Sequence, residues 1–228
     1  MRHGRFLHNE VPGMSVPEGI RSVSDLWKPE FKGRVGVLSE MRDTIGVIMS
    51  EQGVDISGDF TEDQFQNALD VFREQITNGQ IRNVAGNSYL DDLVNEDTLV
   101  AICWSGDITV INYEAGDKWE FMIPEGGGTL WNDNYMIPIG STRKTNAETL
   151  INYYYEPEVA AEVAAWVNYI TPVEGAQEAM LAIDPELADD QLIFPNAETL
   201  SQVKVFRGLT SAEEQSFDSA FQAVLLGA

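Results

Sequence analysis

The sequence predicts an α/β protein, with an open sheet surrounded by helices and a helical C-terminal part. Two observations carry this expectation. Short apolar runs alternate with stretches of helical periodicity from Ile20 onward, and the strand-like runs fall early while the helical ones fall late.

Taken in order, Val35–Leu38 (VGVL) reads as a buried strand. Thr44–Glu51 follows as a helix with Ile45, Ile48 and Met49 on one side. Thr61-x-x-Gln64 has capping-box spacing, and Phe65, Leu69, Phe72 and Ile76 recur at helical intervals behind it. Leu99–Cys103 (LVAIC) is a continuous apolar run, as a central strand covered on both faces requires. Glu120–Ile123 and Tyr135–Ile139 are expected to be further strands, separated by the loop sequence Pro124-Glu125-Gly126-Gly127-Gly128. Thr145-x-x-Glu148 and Ser211-x-x-Glu214 offer two more capping boxes, the second opening a helix that carries Phe217, Phe221 and Val224. Pro157 stands at the first turn of another helix.

Charge and rare residues narrow the chemistry. The 228 residues hold 14 Lys and Arg against 37 Asp and Glu, a formal net charge of −23. That balance repels phosphate backbones and anionic headgroups, so no nucleic-acid partner is expected and a cationic ligand is favoured. Cys103 is alone, and both histidines, His3 and His8, lie in the N-terminal stretch. Serine–histidine and cysteine–histidine catalysis are thereby disfavoured, as are multi-cysteine and imidazole metal sites. No cofactor and no metal are expected. No apolar run approaches the roughly 18 residues needed to cross a bilayer, and the N-terminus does not read as a signal peptide.

Three stretches place aromatic or acidic side chains at strand ends: Glu40-Met41-Arg42-Asp43, Trp104-Ser105-Gly106-Asp107 and Trp131-Asn132-Asp133. Open α/β sheets bind ligands beyond the carboxyl ends of their strands. An indole face attracts an ammonium or covers a methylene chain, and a carboxylate supplies the charge-assisted hydrogen bond that a desolvated ammonium needs. Several such units suit a flexible cation with an apolar stem. Two other readings stay open here. The glycine run at 126–128 has the composition of an anion cradle, although Glu125 and Asp133 oppose one electrostatically. Asp107 and Asp133 are also a candidate carboxylate pair for a hydrolase.

The order of SDLWKPEFKGRVGVL, EMRDTIG, CWSGD, EGGGTLWNDNYMIP, NYITPVEGAQEAM and FPNAETL resembles the periplasmic spermidine/putrescine-binding proteins, the solute receptors of polyamine ABC transporters. The similarity runs from about Val16 almost to the C-terminus. It implies a periplasmic-binding-protein-like fold of two α/β lobes with the ligand between them, a binding protein and not an enzyme, and an ABC transporter permease as partner. Its location would be periplasmic or otherwise extracytoplasmic. Binding proteins of the same architecture for another small solute remain an alternative.

The resemblance assigns Trp104 to stacking on the polyamine, Trp131 to a second aromatic wall and Asp133 to anchoring a ligand amine. It assigns Asp43 and Glu40 to the acids at the other end and Tyr169 to contact with the ligand chain. Members differ at the position of Asp107, which gives it a part in the preference between diamine and triamine. At Val205-Phe206 this chain departs from members that carry a polar side chain there. By the same analogy, residues 1–15 are an atypical leader and 16–130 form most of the second lobe. Residues 131–178 would return to the first lobe and 179–228 pack on the second. Members begin with a signal peptide and a complete first lobe, so this chain is expected to lack most of that lobe. Exposed apolar surface is then expected on the helices of 146–170.

Overall fold

The computed structural model describes residues 19–116 and 118–227. The 1–15 leader and both histidines lie outside these. The chain divides into two compact units, one running up to Leu130 and resuming at Ser201, the other Trp131–Leu200.

The first unit is built on β1 (Val35–Leu38), α1 (Met41–Glu51), α2 (Glu62–Thr77), β2 (Ile81–Ala85), α3 (Tyr89–Val94), β3 (Val100–Ala101), α4 (Ser105–Ala115) and β4 (Gly128–Leu130). Strands β2, β1 and β3 form a parallel sheet in that order, with Val35 opposite both Ile81 and Val100. Parallel pairing demands crossover connections, and the helices that supply them cover the sheet. Every residue of β1 is buried accordingly. The strand read over Leu99–Cys103 is ladder-paired only at Val100–Ala101. Its neighbours stay extended nonetheless, since Leu99 N–H donates to Arg34 O (2.8 Å) and Ile102 N–H to Gly36 O (3.0 Å).

α1 begins at Met41 and not at Thr44, because the chain turns helical directly after Glu40, its N-cap. Asp43 therefore sits in the first helical turn. The Thr61–Gln64 capping box forms in both directions, and Phe65, Leu69 and Phe72 are buried beneath α2.

The second unit holds α5 (Lys144–Tyr154), α6 (Pro157–Val167), α7 (Ala176–Ile183) and α8 (Pro185–Ala188). α6 packs on α7 through Ala160, Ala161, Ala164, Ala176 and Met180, a small core that lets the helices approach closely. The capping box read at Thr145 does not form. The helix starts at Lys144 behind the N-cap Arg143, so Thr145 lies inside it and Glu148 pairs with Lys144 at 3.1 Å instead. Tyr135–Ile139 is not a strand: Tyr135, Met136 and Ile139 are exposed and pair with no strand among the described residues. Glu120–Ile123 is likewise irregular, with Met122 alone turned fully into the core.

α9 (Ala197–Ser201) leads back to the first unit, where β5 (Val203–Val205) pairs in parallel with β4 and α10 (Ser211–Leu225) closes the chain. The last capping box lies one residue earlier than its spacing indicated. Thr210 caps with Glu213, and Glu214 is left to pair with Arg42 of α1. Phe217 and Phe221 stack on Phe65 and Phe72, at centroid distances of 4.0 and 5.3 Å, tying α10 to α2.

The glycine run serves close packing. A Cβ on Gly126 would stand 2.7 Å from Glu51 Cα and 3.0 Å from its backbone N, at the end of α1. Gly127 N–H donates to Pro124 O (2.8 Å) and Gly128 N–H to Gln202 O (2.9 Å). Two of the three amides are thereby committed to the turn and to the approach to β5, where an anion cradle would need them aimed together at a ligand.

Two predictions follow from this packing. Gly126→Ala has backbone, not a flexible side chain, in its way, so it should destabilise the chain by about 1–3 kcal/mol, read by denaturant melts. α5 buries none of its residues, and Leu150 and Trp166 are 70% and 86% exposed. The chain should accordingly self-associate as its concentration rises in sedimentation runs; a monomer throughout would contradict that.

Candidate functional site

The strand order brings β1 and β3 side by side although β2 lies between them in sequence, so the chain leaves β1 for one edge of the sheet and crosses back past it to reach β3 on the other. A crevice opens at such a switch point, beyond the carboxyl ends of the strands. β1 leads there into Glu40 and α1, and β3 leads into Trp104 and α4.

Both helices carry an acid in their first turn, Asp43 in α1 and Asp107 in α4. Helix N-termini favour negative charge, so these carboxylates occupy positions where an anionic ligand would otherwise sit. The edge is thereby turned from anion-binding to acidic. Glu40, the α1 N-cap, is exposed, and its carboxylate accepts from Ser39 Oγ at 3.3 Å.

Asp43 and Trp104 meet directly. The indole Nε1–H of Trp104 donates to Asp43 Oδ2 at 3.0 Å, and Thr129 Oγ1–H donates to Oδ1 at 3.1 Å. Thr129 reaches the carboxylate because α1 presents Gly46 to β4; a Cβ there would stand 3.0 Å from Thr129 Cγ2. Burial pushes the Asp43 carboxyl above its usual value, with the Trp104 and Thr129 hydrogen bonds opposing and the Glu40 charge reinforcing the shift.

Behind the indole, Tyr89 donates its hydroxyl to Asp107 Oδ2 at 2.7 Å and accepts from Trp104 N–H at 3.2 Å. Burial, reinforced by Cys103 and Asp107, pushes the phenol upward, so it stays protonated as a donor. Cys103 is also pushed upward, by burial and then by Asp107, which leaves an unreactive thiol.

In the second unit, Trp131 and Tyr169 meet edge to face, with centroids 5.5 Å apart and planes at 63°. Trp131 is 42% exposed, and Asp133 lies two residues on, also exposed. The seven residues singled out from the sequence thus fall into two groups: Glu40, Asp43, Trp104 and Asp107 in the first unit, and Trp131, Asp133 and Tyr169 in the second.

Tyr89 and Thr129 were missed from the sequence. β2, with Arg82 and Asn83 exposed in its middle, lacks the apolar run that would have marked Tyr89 as following a strand end. Thr129 follows three glycines and reads as loop. Among the described residues, no group of three or more His, Cys, Asp or Glu has a metal-binding arrangement.

Residues 15–195 match the family described as bacterial extracellular solute-binding protein. The spermidine/putrescine-binding periplasmic proteins of Salmonella typhimurium and Escherichia coli K12 are 31% and 30% identical to this chain. These matches cover 82% and 81% of this chain and 51% of each relative. The chain spans about half the length of these curated relatives. The crystal structure of the spermidine/putrescine ABC transporter substrate-binding protein PotD from Streptococcus pneumoniae superposes with a TM-score of 0.76 at 21% identity. That superposition covers 97% of this chain and 66% of the other. The α/β fold of periplasmic binding proteins is thereby established. With most of its length matched by one family, the chain belongs to the bacterial extracellular solute-binding proteins.

Proposed function

We propose that this chain captures polyamines such as spermidine or putrescine outside the cytoplasm for the permease of an ABC transporter, as a binding protein and not an enzyme. The observation that carries the reading is the Asp43–Trp104 pair at the switch point of the parallel sheet. Its hydrogen bond leaves the indole faces for the methylenes of a polyamine and sets a carboxylate at their edge for an ammonium. Glu40 adds charge on the same edge. Within the second unit, Trp131 and Tyr169 form an aromatic corner of their own, with Asp133 two residues along the chain as an acid for an amine. Asp107 acts behind Trp104.

The relatives named above bind spermidine and putrescine, and a net charge of −23 favours cationic solutes over anionic ones. The hydrolase reading gains nothing from the geometry, since Asp107 already accepts a hydrogen bond from the Tyr89 hydroxyl.

A micromolar complex needs about −8 kcal/mol. Open, water-screened carboxylates supply little of it, and desolvated ion pairs much more. A chain spanning half the length of its relatives should therefore bind spermidine more weakly than about 1 µM. Calorimetric titration reads this, and nanomolar affinity would overturn the argument. In a thermal-shift screen, millimolar polyamines should raise Tm while amino acids, sugars and oxyanions leave it unchanged. Asp133→Asn should remove most of that shift.

Asp43→Asn separates binding from folding. Burial raises the folded-state pKa of Asp43, so its contribution to stability is full below the unfolded value near 3.8 and is lost as pH rises through the folded value. An amide oxygen still accepts from Trp104, and the amide N–H can donate to Thr129. At pH 7 the variant should match or exceed the parent in Tm, with that advantage vanishing toward pH 4, while the polyamine response falls about tenfold.

A further inference from the structure

Tyr89 is assigned no ligand contact by the reading above, yet its hydroxyl joins Trp104 and Asp107 on the β3 side of the switch point. The residue is 2% exposed and opens α3 just beyond the carboxyl end of β2. Its single polar atom accepts from the backbone N–H of Trp104, the N-cap of α4, and donates to Asp107 in the first turn of that helix. Its ring meets the Trp104 indole edge to face, with centroids 5.9 Å apart and planes at 68°. Trp104 is thus held at its backbone by one phenol, at its ring by the same residue, and at its indole nitrogen by Asp43.

We propose that Tyr89 and Asp107 form a positioning dyad for Trp104: the carboxylate orients the phenolic proton, and the phenol oxygen then fixes the backbone from which the indole projects. Asp107 influences solute preference through the placement of the ring and not by pairing with a ligand ammonium. This rests on Trp104 being a wall of the solute site.

The chemistry orders the steps. A phenol has one proton and accepts through its oxygen lone pairs. With the proton committed to Asp107 Oδ2, the oxygen is left facing Trp104 N–H as acceptor. Tyr89→Phe keeps the packed ring but leaves Trp104 N–H and Asp107 Oδ2 without this partner. Asp107→Asn keeps an oxygen able to accept the phenolic proton, and Asp107→Ala removes it. A ligand-pairing acid would behave otherwise, because an amide has lost the charge that an ammonium seeks.

The test uses the whole chain with two independent readouts. Spermidine-dependent thermal shift should show an apparent affinity loss of about tenfold for Tyr89→Phe and for Asp107→Ala, with Asp107→Asn restoring most of it. The Tyr89→Phe/Asp107→Ala double variant should be no worse than either single one. The second readout needs no ligand: the Trp104 indole N–H resonance, assigned by its absence in Trp104→Phe, should move or broaden in Tyr89→Phe and Asp107→Ala and be recovered in Asp107→Asn. If Asp107→Asn binds as poorly as Asp107→Ala, or the two losses add, Asp107 pairs with the ligand and the dyad is refuted. If the unsubstituted chain shows no polyamine response, the solute reading fails, while the resonance still decides whether the dyad holds Trp104. An unmoved resonance in Tyr89→Phe overturns the proposal outright.

Discussion

Hydrogen bonding of one half-buried carboxylate to an indole and a threonine hydroxyl joins three segments that are far apart in sequence. Asp43 comes from the turn after β1, Trp104 from the end of β3, and Thr129 from β4. The sheet order makes this possible, since only the adjacency of β1 and β3 brings the first two together. Gly46 makes the third contact possible by letting β4 lie close on α1. The ring of Trp104 therefore takes its orientation from the fold and not from a ligand, as preorganised recognition requires.

Such an arrangement opposes stability at the point where, on the proposed reading, it favours binding. A carboxylate whose pKa is raised by burial costs the folded chain stability once it is charged. Its two hydrogen bonds and its place in the first turn of α1 offset part of that cost. What remains is the kind of local strain that a cationic ligand relieves by bringing its own charge. Tyr89 and Asp107 show the opposite economy, a phenol and a carboxylate satisfying one another and a backbone amide behind the ring. On the proposed reading one side of Trp104 meets solute, and the other is held by Tyr89.

Much of this was legible in the residues, and the misreadings share a physical origin. VGVL, the Thr61 capping box and the aromatic stripe of α2 rest on local chemistry that nothing distant contradicts, and they appear as read. Strands are different, because a strand exists only if another lies beside it. Tyr135–Ile139 alternates acceptably but finds no partner among the described residues, whereas the polar-interrupted Ile81–Ala85 becomes a strand because β1 pairs with it. Helix starts slipped by one to three residues for a similar reason. At α10 the hydroxyl that caps is the one whose acid also meets Arg207, so Thr210 and Glu213 displace Ser211 and Glu214. The acids and rings of the candidate site were visible as strand-end clusters, but their supports were not. Tyr89 and Thr129 act only through neighbours remote in sequence.

The same distinction explains why a net charge of −23 could direct attention to a cation without naming the acid that meets it. Glu213 lies at about 2 because the Arg207 guanidinium and the Thr210 amide and hydroxyl stabilise its charge. Asp55 lies at about 2 through Ser57 and Lys204. Asp25 is brought there by Lys28 and the backbone amides of Arg21 and Ser22, against the upward push of its burial. These carboxylates are already satisfied by cations or capping amides, so an incoming ammonium would have to displace an existing partner. Asp43 is displaced the other way, held by neutral donors with no guanidinium or ammonium hydrogen-bonded to it. A desolvated carboxylate held only by neutral hydrogen-bond donors gains most from an arriving ammonium, and by that criterion Asp43 stands apart from these three acids, where composition shows only a crowd.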